Sequence, residues 1–206
     1  AGSGMAYAFL LGADPIHAIN IDATLKIIAF IVLAPIIGMT ISVIITLIVI
    51  NLAKNSRPSV AEKWFKILQL VSSAALSFAH GGNDAQKVMG IILVAMVAGG
   101  YVPTTEHMPE WIPLTCYAAI AAGTMSGGWK IVKTMGTKIT KVTPLEGVCA
   151  ESAGAVTLGI TEHFGIPAST THTITGAIIG VGVVKRVSAV RWGVTISLLW
   201  AWILTI

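Results

Sequence analysis

Residues Trp64 to Gly100 read WFKILQLVSSAALSFAHGGNDAQKVMGIILVAMVAGG. Two apolar stretches, Trp64 to Ala79 and Ala85 to Gly100, flank His80-Gly81-Gly82-Asn83-Asp84. Each stretch has about 16 residues, short of the ~20 that an α-helix needs to cross the ~30 Å hydrocarbon core of a bilayer. Two short apolar pieces around a polar break predict one interrupted membrane segment. Gly81 and Gly82 let a chain leave helical geometry, and Asn83 or Asp84 can cap a helix that starts near Ala85 and expose its first amides. Backbone groups freed at membrane depth are tolerated only against protein or a water-filled cavity, so such a break marks a candidate site. Asp84, a carboxylate that is costly there alone, is a natural ligand for a coupling cation. The same residues would also serve as a plain loop between two short helices.

Working outward, the longest uncharged stretch, Ile27 to Ala53, is long enough to span a tilted path through a bilayer. Further apolar runs are Pro113 to Trp129, Gly147 to Phe164, Ser169 to Val184 and Trp192 to Ile206. Across all 206 residues the chain is 55% hydrophobic and 11% charged, with a mean hydropathy of +0.84. An ordinary soluble domain carries about 25% charged residues, so that class is excluded. The formal net charge of +4 comes from 13 Lys and Arg that sit mainly in short connectors, which is a membrane-topology signal and not a nucleic-acid one. Lys54, Arg57, Lys63 and Lys66 put one connector inside, and Lys130, Lys133, Lys138 and Lys141 put another there. The connector with Glu106 and Glu110 goes outside, and Lys185, Arg186 and Arg191 return the chain to the inside. Residues 146–184 therefore start and end inside, as a hairpin does. Cys116 and Cys149 have no paired spacing and suggest neither a disulfide nor a zinc site. The six Trp, including Trp64, Trp111, Trp129 and Trp192 at run edges, read as interfacial anchors.

A second polar motif is Pro167-Ala168-Ser169-Thr170-Thr171-His172. Pro167 stops the preceding helix, Ser169 can cap the next, and three hydroxyls then converge with unpaired amides at a positive helix end. An oxyanion needs that chemistry, although a Ser/Thr cluster at a helix start also serves as plain capping. Of the five His, His80 and His172 adjoin the two motifs and read as hydrogen-bonded structural residues, while His17, His107 and His163 fall in connectors. Ala29-Phe30-Ile31-Val32-Leu33-Ala34 also resembles Ala201-Trp202-Ile203-Leu204-Thr205-Ile206 faintly, as in an internal repeat.

His80-Gly81-Gly82-Asn83-Asp84-Ala85-Gln86-Lys87, with Gly165-Ile166-Pro167-Ala168-Ser169-Thr170-Thr171-His172 and Gly176-Ala177-Ile178-Ile179-Gly180, resembles the inorganic phosphate transporter family. Gly82 and Ala168 replace the commoner Ala and Val of its signatures. The resemblance implies an all-α polytopic membrane protein of the inner (plasma) membrane. In fold it is an inverted-repeat transporter with discontinuous helices and a re-entrant helical hairpin. On this basis residues 1–52 would be the end of a first repeat with one transmembrane helix. Residues 53–206 would be a second repeat: a broken helix at 64–100, a helix at 113–129, a hairpin at 146–184 and a final helix at 190–206. Implied phosphate ligands are Asn83, Ser169, Thr170 and Thr171. Asp84, with Asn83 and Glu151, would serve the coupling cation, and Asp84 would hold the metal ion if that cation is sodium. Lys87 is left without a role, able to pair with Asp84 or Glu151.

The expected function is secondary active import of inorganic phosphate with a cation, sodium ahead of a proton, and no other cofactor. A sulfate permease is the alternative within the class. A membrane-embedded hydrolase is remote, since no base is recognisably spaced to Ser169 and no Gly-x-Ser-x-Gly or His-Glu-x-x-His motif occurs. Expected partners are phosphate, the cation, the lipid bilayer and an upstream half of the same protein, with a homodimer left open and nucleic acid excluded.

Overall fold

A computed structural model describes residues 20–106, 108–129, 133–166 and 168–204. Residues 1–19 with His17, and His107, Lys130, Pro167, Thr205 and Ile206, lie outside the described residues. Every regular element among the described residues is helical: α1 (Ile21–Ala53), α2 (Pro58–Ala98), α3 (Trp111–Gly127), a short π-helix (Thr134–Ile139), α4 (Pro144–His163), α5 (Thr170–Lys185), a 3-10 turn (Val187–Ala189) and α6 (Trp192–Leu204). Thr24–Ala53 is the one described helix long and apolar enough to cross a membrane by length and composition, and Trp192–Trp202 is a shorter apolar helix.

The ends of these helices follow from local chemistry. α2 starts with Pro58 in its first turn, where a missing N–H costs nothing, and α4 starts with Pro144 inside a reciprocal capping box between Thr143 and Glu146. α2 and α4 end alike, each on a glycine with positive φ, Gly100 at 74° and Gly165 at 61°. Tyr101 N–H bonds the Met96 carbonyl at 2.9 Å and Gly100 N–H that of Val97 at 3.1 Å. Ile166 N–H bonds the Thr161 carbonyl at 2.8 Å and Gly165 N–H that of Glu162 at 3.0 Å. Both are Schellman closures, which require a residue able to enter the left-handed region. Gly165 thus ends the first arm of the hairpin, a stop that the sequence reading had assigned to Pro167.

The expected broken helix at 64–100 is not observed. α2 runs without interruption through His80–Asp84, 41 residues in all, so a discontinuous helix near Asn83 is ruled out here. Gly81 and Gly82 have no positive φ, and a methyl built on either meets nothing within 4 Å. Glycine permits a break without enforcing one. Each costs roughly 1 kcal/mol within a helix, whereas a break in apolar surroundings would strip several backbone groups of their partners.

The centre of the packing is α5, whose residues Thr175–Gly182 are all buried. α5 lies along α1 and α4, α4 lies along α2, and α3 packs on the far end of α2 through Ala85, Met89, Ile112 and Cys116. α4 and α5 form the hairpin, its open end tied by Lys185 Nζ to Glu146 Oε1 at 3.0 Å. Glu146 lies ahead of the apolar run that begins at Gly147. Burial works against its charged form, but the Thr143 hydroxyl and amide and the Lys185 ammonium outweigh it and hold the carboxyl below its ordinary range.

Small residues let α1 and α5 approach closely. A methyl on Gly176 would overlap the Pro35 carbonyl, one on Gly180 would lie 2.5 Å from the Met39 carbonyl oxygen, and one on Gly38 would lie 2.6 Å from that of Thr173. None of those backbone atoms can move aside independently. Gly176→Ala is therefore expected to cost about 2 kcal/mol or more by overpacking, while Gly81→Ala and Gly82→Ala are neutral or stabilising by up to ~1 kcal/mol. Thermal unfolding of the three variants in detergent checks both; marked destabilisation by the α2 variants would contradict the continuous helix.

Candidate functional site

Because α2 is continuous, Asp84 does not cap a new helix and its side chain is free to reach across the fold. Its Oδ2 accepts from the Thr170 hydroxyl at 3.3 Å, and Oδ1 lies 3.5 Å from the same oxygen. Lys87 Nζ sits 3.0 Å from Oδ1 and His80 Nε2 3.5 Å from Oδ2. The fold thus joins the two sequence motifs through one carboxylate and one hydroxyl. Asn83 is buried beside Asp84. Two residues after Asp84, Gln86 donates to Glu162 at 3.1 Å and ties α2 to α4.

The hairpin side is a helix start. Ser169 is the N-cap of α5, its hydroxyl accepting from the His172 amide at 3.5 Å, with Thr170 buried and Thr171 exposed. His172 stacks on Trp202 of α6 with ring centroids 3.9 Å apart, and it interacts with the main-chain carbonyl of Ile31 on α1. Pro35 follows Ile31 by four residues and has no N–H to offer, so that carbonyl lacks its helical partner and the imidazole compensates. His172 is structural in that sense, although its Nδ1, like that of His80, has no partner among the described residues.

Glu151 is not brought to Asp84. Ser72 donates to Glu151 Oε2 at 2.5 Å, and Ser72 precedes Asp84 by twelve residues on α2, about 18 Å at 1.5 Å per residue. Glu151 shares with the hairpin motif a cavity of about 760 Å³, which Thr171 and His80 also line. Gln69 lines it too, and a methyl on Gly147 would overlap the Gln69 amide, so that glycine makes room for it. The candidate residues therefore divide between a centre at Asp84 and Thr170 and a cavity at Glu151 and Thr171. Among the described residues no group of three or more His, Cys, Asp or Glu could hold a metal ion. Asp84 and Thr170 supply hard oxygens of the kind that suits a sodium ion.

Sequence reading missed Ser72 and Gln69. A signal was available: Gln69, Ser72, Ser73, Ser77, His80, Asn83, Asp84 and Lys87 recur at helical spacing and keep their phase through the glycine pair. Loss of the Ser72 hydroxyl leaves a half-buried carboxylate without its donor. Ser72→Ala is expected to cost about 1.5–3 kcal/mol, and Glu151→Gln added to it much less than the sum of the two single changes. A double-mutant cycle on thermal unfolding measures this, and additive losses would show that the pair is not coupled.

The phosphate transporter family profile matches residues 50–206. The chain is 51% identical over 181 residues to a Rhizobium meliloti (strain 1021) protein named "Probable low-affinity inorganic phosphate transporter", covering 88% of this chain and 54% of that protein. A Bacillus subtilis (strain 168) protein of the same name is 39% identical over 196 residues, 95% of this chain and 59% of its own. One from Mycobacterium bovis (strain ATCC BAA-935 / AF2122/97) is 37% identical over 182 residues, 88% and 44% respectively. The chain thus spans about half the length of these relatives, and no solved structure matches it significantly. With a profile match over most of its length and both polar motifs joined at Asp84 and Thr170, the chain belongs to the phosphate transporter family, whose members are transporters and not enzymes.

Proposed function

We propose that this chain is the greater part of one repeat of a secondary transporter that imports inorganic phosphate together with a cation, sodium in preference to a proton. The observation that carries this is the meeting of Asp84 with Thr170, which puts a cation-binding carboxylate against the hydroxyl cluster at a helix start. Ser169, Thr170 and Thr171, with Asn83, bind the phosphate oxygens, and Asp84 takes the cation. The transported anion carries between one and two negative charges near neutral pH and needs compensating charge. One helix N-terminus offers about half a unit, and hydroxyls bring none, so groups outside these 206 residues complete the site. An inverted repeat supplies them. The chain is multi-pass in the inner membrane, with the hairpin re-entrant between its basic ends.

Sulfate offers the same tetrahedral oxygens, and the names of the relatives favour phosphate over it. Uptake of radiolabelled phosphate by the full-length protein in liposomes tests the function, with and without a sodium gradient and with sulfate as competitor. Sodium-stimulated uptake resistant to excess sulfate is expected. Asp84→Asn keeps the shape and removes the charge, so it should lower coupled uptake by roughly 10- to 100-fold, as loss of a hydrogen bond to a charged group does, while the protein still inserts. Unchanged sodium dependence in that variant would remove Asp84 from the mechanism.

A further inference from the structure

The Asp84 carboxylate already holds a cation, and the chain supplies it. Lys87 Nζ lies 3.0 Å from Oδ1, one turn along an uninterrupted helix, so the ammonium is tethered at a site where a free ion would have to arrive from solution. The carboxylate side chain is 34% exposed and that of Lys87 53%, so the pair is open to exchange. The Thr170 hydroxyl contacts both carboxylate oxygens, and Ser169 and Thr171 stand on either side of it in the chain. An ammonium leaving Asp84 therefore has the Thr170 hydroxyl at the start of α5 within the reach of its own stem.

We propose that Lys87 is a tethered counter-ion. It occupies Asp84 when the cation site is empty, and the transported cation displaces it to meet the phosphate. This rests on the assignment of Asp84 to the cation and of the α5 start to phosphate. Two cations cannot share one carboxylate oxygen at contact distance without strong repulsion, so sodium and Lys87 compete for Asp84. Phosphate and Asp84 compete in turn for Lys87. Sodium entry frees one positive charge beside the hydroxyl cluster, and that charge favours the anion. With no sodium the charge stays neutralised on Asp84 and the anion finds only hydroxyls and half a unit of helix charge. Cation and anion binding thereby become linked without movement of either helix. The empty carrier also carries no uncompensated carboxylate, which would oppose its return across the membrane.

The signature is a pair of opposite shifts. In Lys87→Met the competitor of sodium is lost, so the sodium concentration for half-maximal uptake should fall roughly two- to five-fold, the weight of one partly exposed ion pair. The counter-charge of phosphate is lost as well, so the phosphate concentration for half-maximal uptake should rise about ten-fold. Lys87→Arg keeps both near the parent values. The full-length protein in liposomes gives the two half-saturations. Sodium-dependent thermal stabilisation of the purified protein without phosphate gives the first independently of transport, and it too should shift to lower sodium in Lys87→Met. Lys87→Gln is read in the same way if the methionine variant does not insert. A variant in which both half-saturations rise together, or in which that for sodium is unchanged, overturns the proposal. If Asp84→Asn still loses sodium dependence in that case, the assignment of Asp84 stands and only the role of Lys87 falls. Sodium dependence retained in Asp84→Asn defeats both.

Discussion

The close approach of α1 and α5 is the constraint from which the rest of the structure follows. Gly176 and Gly180 face Pro35, Met39 and Ser42 across a seam with no room for a single methyl, and Gly38 faces Thr173 in the same way. In a lipid environment helices gain nothing from hiding apolar side chains, so backbones brought into van der Waals contact by small residues are what holds them together. That seam buries α5, and with it fixes where the helix begins. The start of α5 carries the hydroxyl cluster, so its position depends on glycines up to three turns further along the helix.

Pro35 has a second effect at the same seam. It frees the Ile31 carbonyl beside His172, while the face of the imidazole stacks on Trp202. Helices α1, α5 and α6 are thus pinned together at the residue that follows the Ser-Thr-Thr cluster. The hydroxyls are held by packing on both sides, as a binding site needs if its geometry is to persist through a transport cycle.

Continuity of α2 changes the chemistry available at its centre. A broken helix would turn Asp84 inward on its own backbone as a cap. An unbroken one presents a row of polar side chains from Gln69 to Lys87 along one face of an otherwise apolar rod, while Phe78 is exposed on another face. The Ser72 contact with Glu151 and the Asp84 contact with Thr170 are successive points along that row, and Gln86 reaches Glu162 from beside it. The same helix that joins a basic connector to an acidic one therefore carries every side-chain contact described between α2 and the hairpin.

Composition was enough to predict a helical membrane protein, and the resemblance of the two polar motifs was enough to predict its family, because hydropathy and motif chemistry are local properties that a linear chain displays. A helical pair over 146–184 was expected, and α4 and α5 together span Pro144 to Lys185. Gly81-Gly82 was misread because glycine only widens the backbone options, and whether the chain uses them depends on the cost of unpaired amides in the folded surroundings. The glycines that do end helices, Gly100 and Gly165, are distinguished by the positive φ of their Schellman closures and not by their identity. Tertiary structure alone decided that Asp84 meets Thr170 while Glu151, 67 residues along the chain from Asp84, goes to Ser72. Those pairings depend on how far α2 slides along α4 and α5, a register met by side-chain fits such as Gly147 against the Gln69 amide that no one-dimensional pattern records.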